Sequence, residues 1–374
     1  MKLKVLAMLA AFLAVLDGAA TTALGQGDGS LSRLIEAARR EKQLDLTITS
    51  SQGDKGGREL TEAFKKRFGL SLTVNADLSG QESQKFNQAV AEAKAGIAPT
   101  FDVMQGEPPV VLDLIQAGGI DPIPNWEALL AQVAPEAFKV KEKVSPVGVA
   151  GYGFVWANRV TALLYNPKAI SQPDLPKTWK EIGNAKHRGA FSIPPWTTIT
   201  LMGLLKYNKD EWLEIVQSWG KLKPQVLHYA AAVERMMIGE LKFLETNTHY
   251  YFNHKAKDAN APIEMNFFAD LTPTREVTYV VRKGARNPNA AKLFALWSTS
   301  EEANRIFERH SVIENLALGT GPVTRKTLEK LKQNNIKPAS WFENQQTLDK
   351  FLWLGTEEGR KYSQAIARAQ REGK

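Results

Sequence analysis

The sequence predicts an α/β protein of two lobes, with the chain crossing between them more than once, and three observations predict it. Strand and helix signals alternate from residue 44 to residue 104. A second set of strand and helix signals runs from residue 163 to residue 297 without an internal repeat or a low-complexity linker. The chain has 374 residues, 43% of them apolar and 24% charged, which is ample for two ordinary cores.

A short helix is expected near residues 30–42. Leu44, Leu46 and Ile48 then alternate with Asp45, Thr47 and Thr49, the period of a strand with one buried face. The polar loop from Ser50 to Asp54 leads into a helix with apolar positions Leu60, Phe64 and Phe68, ended by Gly69. Leu70, Leu72 and Val74 begin a second strand, and Phe86, Val90 and Ala93 mark a second helix. Pro99 precedes a short buried strand from Phe101 to Met104. Strand–helix–strand–helix–strand at this spacing makes a parallel sheet flanked by helices. Its loops at the carboxyl ends, 50–54 and 105–108, converge on one crevice.

The middle differs in texture. The glycine-rich residues 144–157 read as a flexible crossing. Leu163 to Pro167 is a strand entering a turn, and Pro176 to Trp179 opens a helix with Thr178 as its cap. Phe191 to Ile193 is a strand stopped by Pro194 and Pro195, after which Thr197 and Thr198 start a helix holding Leu201, Leu204 and Leu205. Further helices fall at 210–219 and 230–239. Val277 to Val281 is a late strand, and Asn287-Pro288 forms the cap and first turn of a helix burying Leu293, Phe294 and Trp297.

Ahead of these elements lies an export signal. Lys2 and Lys4 precede an apolar run from Val5 to Leu16, and Ala23-Leu24-Gly25 sets small side chains at the −3 and −1 positions of a cleavage before Gln26. The run is too short to cross a bilayer as a helix, and no later apolar stretch is long enough. The chain has no cysteine, which excludes disulfides, thiolate metal sites and a cysteine-borne lipid anchor. The expectation is a free, monomeric protein in an extracytoplasmic compartment, most simply the periplasm. The net charge of +8 is scattered, and Arg39-Arg40 and Lys65-Lys66-Arg67 read as solvated helix faces. No basic stripe with interleaved aromatics points to nucleic acid.

Several segments together resemble one family. The stretch from Leu46 to Leu70, Thr100-Phe101-Asp102-Val103 followed by Glu107, Tyr165-Asn166-Pro167, the run from Leu175 to Ile182, and Asn287 to Phe294 look like bacterial extracellular solute-binding proteins of ferric-binding type. The similarity covers roughly residues 44–310. It implies a type II periplasmic-binding fold, each lobe a mostly parallel mixed sheet flanked by helices, closing on a solute and handing it to an ABC permease. It also implies the boundaries: a signal peptide over 1–25, one lobe from 26–158 with 272–315, and the other from 159–271 with 316–374.

The resemblance bears on cargo through Tyr250-Tyr251, which follows Gly239-Glu240 much as a tandem tyrosine pair does in ferric-binding members. Ferric ion favours hard anionic oxygen, and a bound cation stabilises a phenolate that otherwise forms only near pH ~10. Glu107 falls where the family's first-lobe glutamate ligand lies. The implied metal ligands are therefore Glu107, Tyr250 and Tyr251, with iron as cargo beside a synergistic anion and no separate cofactor required.

The chain also departs from the pattern. The first-loop histidine of many members aligns with Gly53, so that ligand is missing. The family's anion-holding turn is replaced by Trp196-Thr197-Thr198, where hydroxyls and N–H groups at a helix start can hold phosphate or carbonate. Ser50 and Ser51 in the first crevice loop are further candidate ligand contacts, and Trp196 is expected to line the cleft. Arg159 admits two readings, an anion contact or a hinge salt bridge. The tyrosine pair admits three: iron ligation, contact with a non-metal ligand, or packing as a half-buried strand pair. His249 and His254 read as surface residues, and His187, His228 and His310 have no acidic or thiol partners at metal-ligand spacing.

An enzyme is not expected. No Gly-x-Ser-x-Gly elbow, His-Glu-x-x-His or glycine-rich phosphate loop occurs, and the paired carboxylates at 301–302 and 357–358 sit on ordinary helices. The reading is a periplasmic receptor for ferric ion, with a small organic anion or phosphorylated solute as the alternative cargo and a polyamine or thiamine as a third. A periplasmic hydrolase and a scaffold without a small ligand are the alternatives of a different class.

Overall fold

The computed structural model describes residues 27–374, so the signal peptide expected over residues 1–25 lies outside the described residues. Ten strands form the framework: β1 (Gln43–Thr47), β2 (Thr73–Asp77), β3 (Val103–Gly106), β4 (Gly153–Tyr165), β5 (Phe191–Ile193), β6 (Gln225–Val226), β7 (Phe243–Asn247), β8 (Glu264–Asn266), β9 (Thr272–Val281) and β10 (Pro338–Ala339). They run β2-β1-β3-β9-β4-β7-β5-β6, with β10 beside β9 and β8 beside β4. The outer pairs β1–β2, β1–β3, β5–β6 and β5–β7 are parallel. The central pairs β3–β9, β4–β9 and β4–β7 are antiparallel.

This topology makes two lobes because β4 and β9 are long enough to serve two cores. Phe154, Trp156 and Ala157 of β4 join a cluster with Leu44, Phe64, Phe294 and Trp297, whereas Leu163 and Tyr165 join Trp179, Trp212 and Trp219. Val160, Ala162 and Leu164 face a third cluster with Met236, Leu244 and Ile263. Between these groups stand Asn158 and Arg159. A register irregularity lies between Val155 and Ala157, so the ladder bends where the lobes meet.

Most of the expected elements form, with corrections. Gly69 caps the helix Gly53–Phe68 at φ +62, a left-handed turn that suits glycine. The crossing at 144–157 is not flexible throughout: its turn uses Gly148 and Gly151 at positive φ, and from Gly153 onward it is β4, almost entirely buried. The helix expected after Trp179 is one 3-10 turn, Lys180–Gly183, with Thr178 Oγ1 accepting from the Glu181 N–H at 3.3 Å. The helix begun by Thr197 and Thr198 is only the four residues Thr198–Leu201, continued by a 3-10 turn. Tyr250 and Tyr251 lie on the helix Thr248–Lys257, not on a strand. Among the described residues no helix is long and apolar enough to cross a membrane.

Candidate functional site

The lobes meet around an ion-pair network that the topology assembles from four distant segments. Arg159 of β4 and Arg275 of β9 are direct register partners across the hinge ladder. Two cations opposite one another in a sheet repel. Glu107 relieves this. It follows β3 immediately, and Pro108 starts the helix Pro108–Gln116 behind it, which fixes the backbone there. Its carboxylate accepts from Arg275 Nη1 at 2.8 and 3.0 Å and pairs with Arg159 Nη1. Glu82, at the start of the helix Glu82–Ala95, completes the set. Its Oε2 accepts from Arg159 Nη2 at 3.3 Å and its Oε1 from the Glu107 N–H at 3.1 Å. Arg275 Nη2 also donates to Asn247 Oδ1 at 3.1 Å, tying the network to the end of β7.

The two carboxylates are shifted in opposite directions for a physical reason. Burial pushes the Glu107 pKa up, but Arg275 and Arg159 outweigh it and hold the group below the ordinary carboxylate value. Burial dominates at Glu82 and leaves its pKa raised, since the help of Arg159 and of the Glu107 N–H is outweighed by burial and by repulsion from the Glu107 carboxylate. Burial also works against the Arg159 charge, and Glu107 and Glu82 more than restore it. The cluster therefore sets two guanidiniums against two carboxylates, of which Glu107 is the one held below its ordinary value.

Two residues of the helix Thr248–Lys257, His249 and Tyr250, stand beside it, and successive helix positions point about 100° apart. The His249 and Tyr250 rings lie 4.3 Å apart, and Tyr250 meets Tyr229 edge-on at 6.2 Å. Burial raises the Tyr250 pKa, opposed by the nearby Arg159 charge. His249 is not the surface histidine expected. Its Nδ1 is buried without a partner, and burial with the charges of Arg159 and Arg275 pushes its pKa down to about 3, so it is neutral. Tyr251 turns elsewhere and lines a separate pocket with Phe252, Met265 and Lys330. Burial raises its pKa, and Glu264 and Tyr165 raise it further.

Thr197 and Thr198 line a cavity of about 180 Å³ with Glu107, Pro108, Arg275 and Phe342. Trp196 packs edge-on against His228 and Tyr229, each at 5.2 Å, and its carbonyl accepts from Gln370 Nε2 at 3.3 Å. Ser50 and Ser51 are exposed beyond β1, where Ser51 Oγ and Thr49 Oγ1 share a 3.0 Å hydrogen bond. The structure thus joins Glu107 and Arg159 directly, sets Tyr250 near them, and sends Tyr251 to another pocket. Among the described residues no group of three or more His, Cys, Asp or Glu is arranged to hold a metal ion. Sequence reasoning missed Glu82, Arg275 and His249. Only Arg275 left a signal: with Glu276 it puts two charges in the middle of a strand that is otherwise buried.

A family model for bacterial extracellular solute-binding proteins matches residues 59–325, more than half of the chain. The chain is a bacterial extracellular solute-binding protein. That family is a substrate-binding component of transport systems, not an enzyme class. The solute-binding protein is 22% identical over 298 residues to the Fe(3+)-binding periplasmic protein of Serratia marcescens, covering 77% of this chain and 82% of the relative. Its fold matches that of the Trichodesmium protein FutA in complex with iron and citrate, at TM-score 0.65 and 17% identity over 87% of this chain and 99% of that one. It also matches the periplasmic binding protein AfuA of Actinobacillus pleuropneumoniae with fructose-6-phosphate bound, at TM-score 0.63 and 18% identity over 87% and 99%. The type II periplasmic-binding fold of such proteins is the fold of this chain.

Proposed function

We propose that this solute-binding protein captures a small anion of carboxylate or phosphate class between its lobes, in the periplasm, and delivers it to an ABC permease. The observation that carries the reading is the Arg159–Arg275 pair, one guanidinium from each hinge strand and register partners across the ladder. Two adjacent guanidiniums present planar N–H forks, which match carboxylate and phosphate oxygens two at a time. The cargo anion joins or replaces Glu107 on the arginines. Thr197 and Thr198 supply hydroxyls from the facing lobe, and Tyr250 with Trp196 forms an aromatic wall. The lobes, taken as 26–158 with 272–315 and 159–271 with 316–374, close on it about β4 and β9.

Titration calorimetry with citrate, fructose-6-phosphate and inorganic phosphate tests this. Saturable binding of at least one, weakened tenfold or more in Arg275→Gln, is the expected result. No heat from any of the three, or equal affinity in the variant, overturns it.

A second reading, ferric ion with a synergistic anion, is favoured by the names of two relatives and by the Tyr250 phenol beside Arg159. In this reading Glu107, Tyr250 and Tyr251 are the ligands. A metal cation faces two guanidiniums here, and each unit-charge repulsion at 4 Å costs about 4 kcal/mol at the effective dielectric of a protein surface. The anion is thus a requirement of this reading. A visible charge-transfer band on adding ferric citrate, lost in Tyr250→Phe with Tyr251→Phe, supports it, and a colourless protein ends it.

A further inference from the structure

The hinge has a second face. Asn158 and Glu276 are register partners one step along from Arg159 and Arg275, so they point to the opposite side of the ladder. There a chamber of about 430 Å³ opens beside the hinge, sharing Thr274, Glu276, Ser340 and Phe342 with the cavity at Glu107 and Arg275 and extending away from it to Pro146, Leu316 and Leu328. Its floor is polar and buried. Ser340 Oγ donates to Glu276 Oε2 at 2.8 Å, and Asn158 Oδ1 accepts from the Leu316 N–H at 2.8 Å. Thr274 is only 6% exposed, and its hydroxyl has no partner. A buried hydroxyl without a partner costs about 1–3 kcal/mol unless something in the chamber meets it. The walls are apolar, from Pro146, Leu316, Leu328 and Phe342.

Charge selects the occupant. At the mouth Lys337 pairs with Glu343, and Glu142 and Lys143 are exposed and of opposite sign. Inside, the one charged side chain is Glu276. We propose that this chamber is a second binding site that takes a small organic amine, its ammonium on Glu276 and Thr274 and its apolar body against Leu316, Leu328 and Phe342. The walls belong to both lobes, since Pro146 follows Val144 of one core while Phe342 belongs to the other. An occupant holds the hinge at one angle, so amine and cleft cargo change each other's affinity by the same factor.

Burial pushes the Glu276 pKa up to about 7, eased by Ser340, with Glu107 repelling and Arg275 attracting across the strand. Amine binding therefore strengthens as pH rises through that value. The test is calorimetry and thermal shift on the full mature protein with phenethylamine, against 2-phenylethanol and phenylacetate as controls of similar shape. Saturable amine binding, tenfold weaker for both controls and weaker at pH 6 than at pH 8, is expected. Glu276→Gln lowers it at least tenfold, and Leu328→Trp, which fills the chamber, abolishes it while citrate binding in the cleft persists. The Leu328→Trp variant decides the matter if Glu276→Gln does not fold. No saturable amine binding, equal binding of phenylethanol, or amine binding unchanged in Leu328→Trp overturns the proposal.

Discussion

At the scale of single residues, Glu107 holds the hinge network together. It is buried, accepts from two arginines, and sits where β3 turns into a helix. Replacing one partner of such a buried pair leaves the others uncompensated, which typically costs about 3–5 kcal/mol. Glu107→Ala is therefore expected to lower the urea midpoint by that equivalent, and added citrate should restore part of the loss by binding the freed guanidiniums. A change below about 1 kcal/mol would mean that water already screens the network as it does an exposed pair. Glu107 and Arg159 were separate candidates in the sequence. Their pairing was not legible, because they stand 52 positions apart in the chain and only the β3–β9–β4 order brings them together.

At the scale of elements, the aromatic core of the second lobe depends on close approach. Trp179 donates from Nε1 to the Leu271 carbonyl at 2.7 Å, Trp219 to the Trp179 carbonyl at 3.0 Å, and Trp212 to the Thr200 carbonyl at 2.7 Å. Trp212 lies flat over Gly203 in the turn Met202–Leu205, and a Cβ there would stand 1.9 Å from its ring. Gly203→Ala must displace a ring already fixed by its hydrogen bond, and overpacking of this kind costs about 1–3 kcal/mol. The expected result is a melting temperature several degrees lower, with red-shifted tryptophan fluorescence. An unchanged melt would show that the turn gives way instead. Seven residues apart on the helix Lys209–Gly220, Trp212 and Trp219 have the spacing of a core pair. Nothing in it pointed to Gly203, whose role depends on a ring nine residues away.

At the scale of the whole molecule, buried carboxylates gather around the lobe crossing. Burial raises Glu245, Glu276 and Glu314 to about 7 each, from an ordinary 4.5. A carboxylate raised in the folded state binds its proton more tightly there than when unfolded. Its contribution is complete below about pH 4.5 and is lost as pH rises through about 7. Each such group accounts for about 3 kcal/mol at most. Two histidines act in the opposite sense. His187 and His249 are lowered from 6.5 to about 4 and about 3, so their contributions are present above 6.5 and fade as pH falls. Glu314 accepts from Thr327 through Oε1 and leaves Oε2 buried without a partner. Glu314→Gln copies the protonated acid, so it should raise the melting temperature at pH 8 and leave it unchanged at pH 4.5. A variant that loses stability equally at both values would refute the argument.

The sequence by itself determined the α/β class, the two-lobed plan, most helices and strands, and the family. These rest on local signals such as the alternation at Leu44–Ile48, the glycine cap at Gly69 and the proline stop after Ile193. Only the tertiary structure decided which side chains meet. A period of two or of 3.6 residues says which face of an element is buried, but not which strand lies beside it. Arg159 meets Arg275 because β4 and β9 run antiparallel in one register, and Tyr250 parts from Tyr251 because the pair rides a helix where neighbouring residues diverge. The pairing of Glu107 follows from the first of these, since burial and the two guanidiniums around it are properties of the assembled hinge and not of any segment.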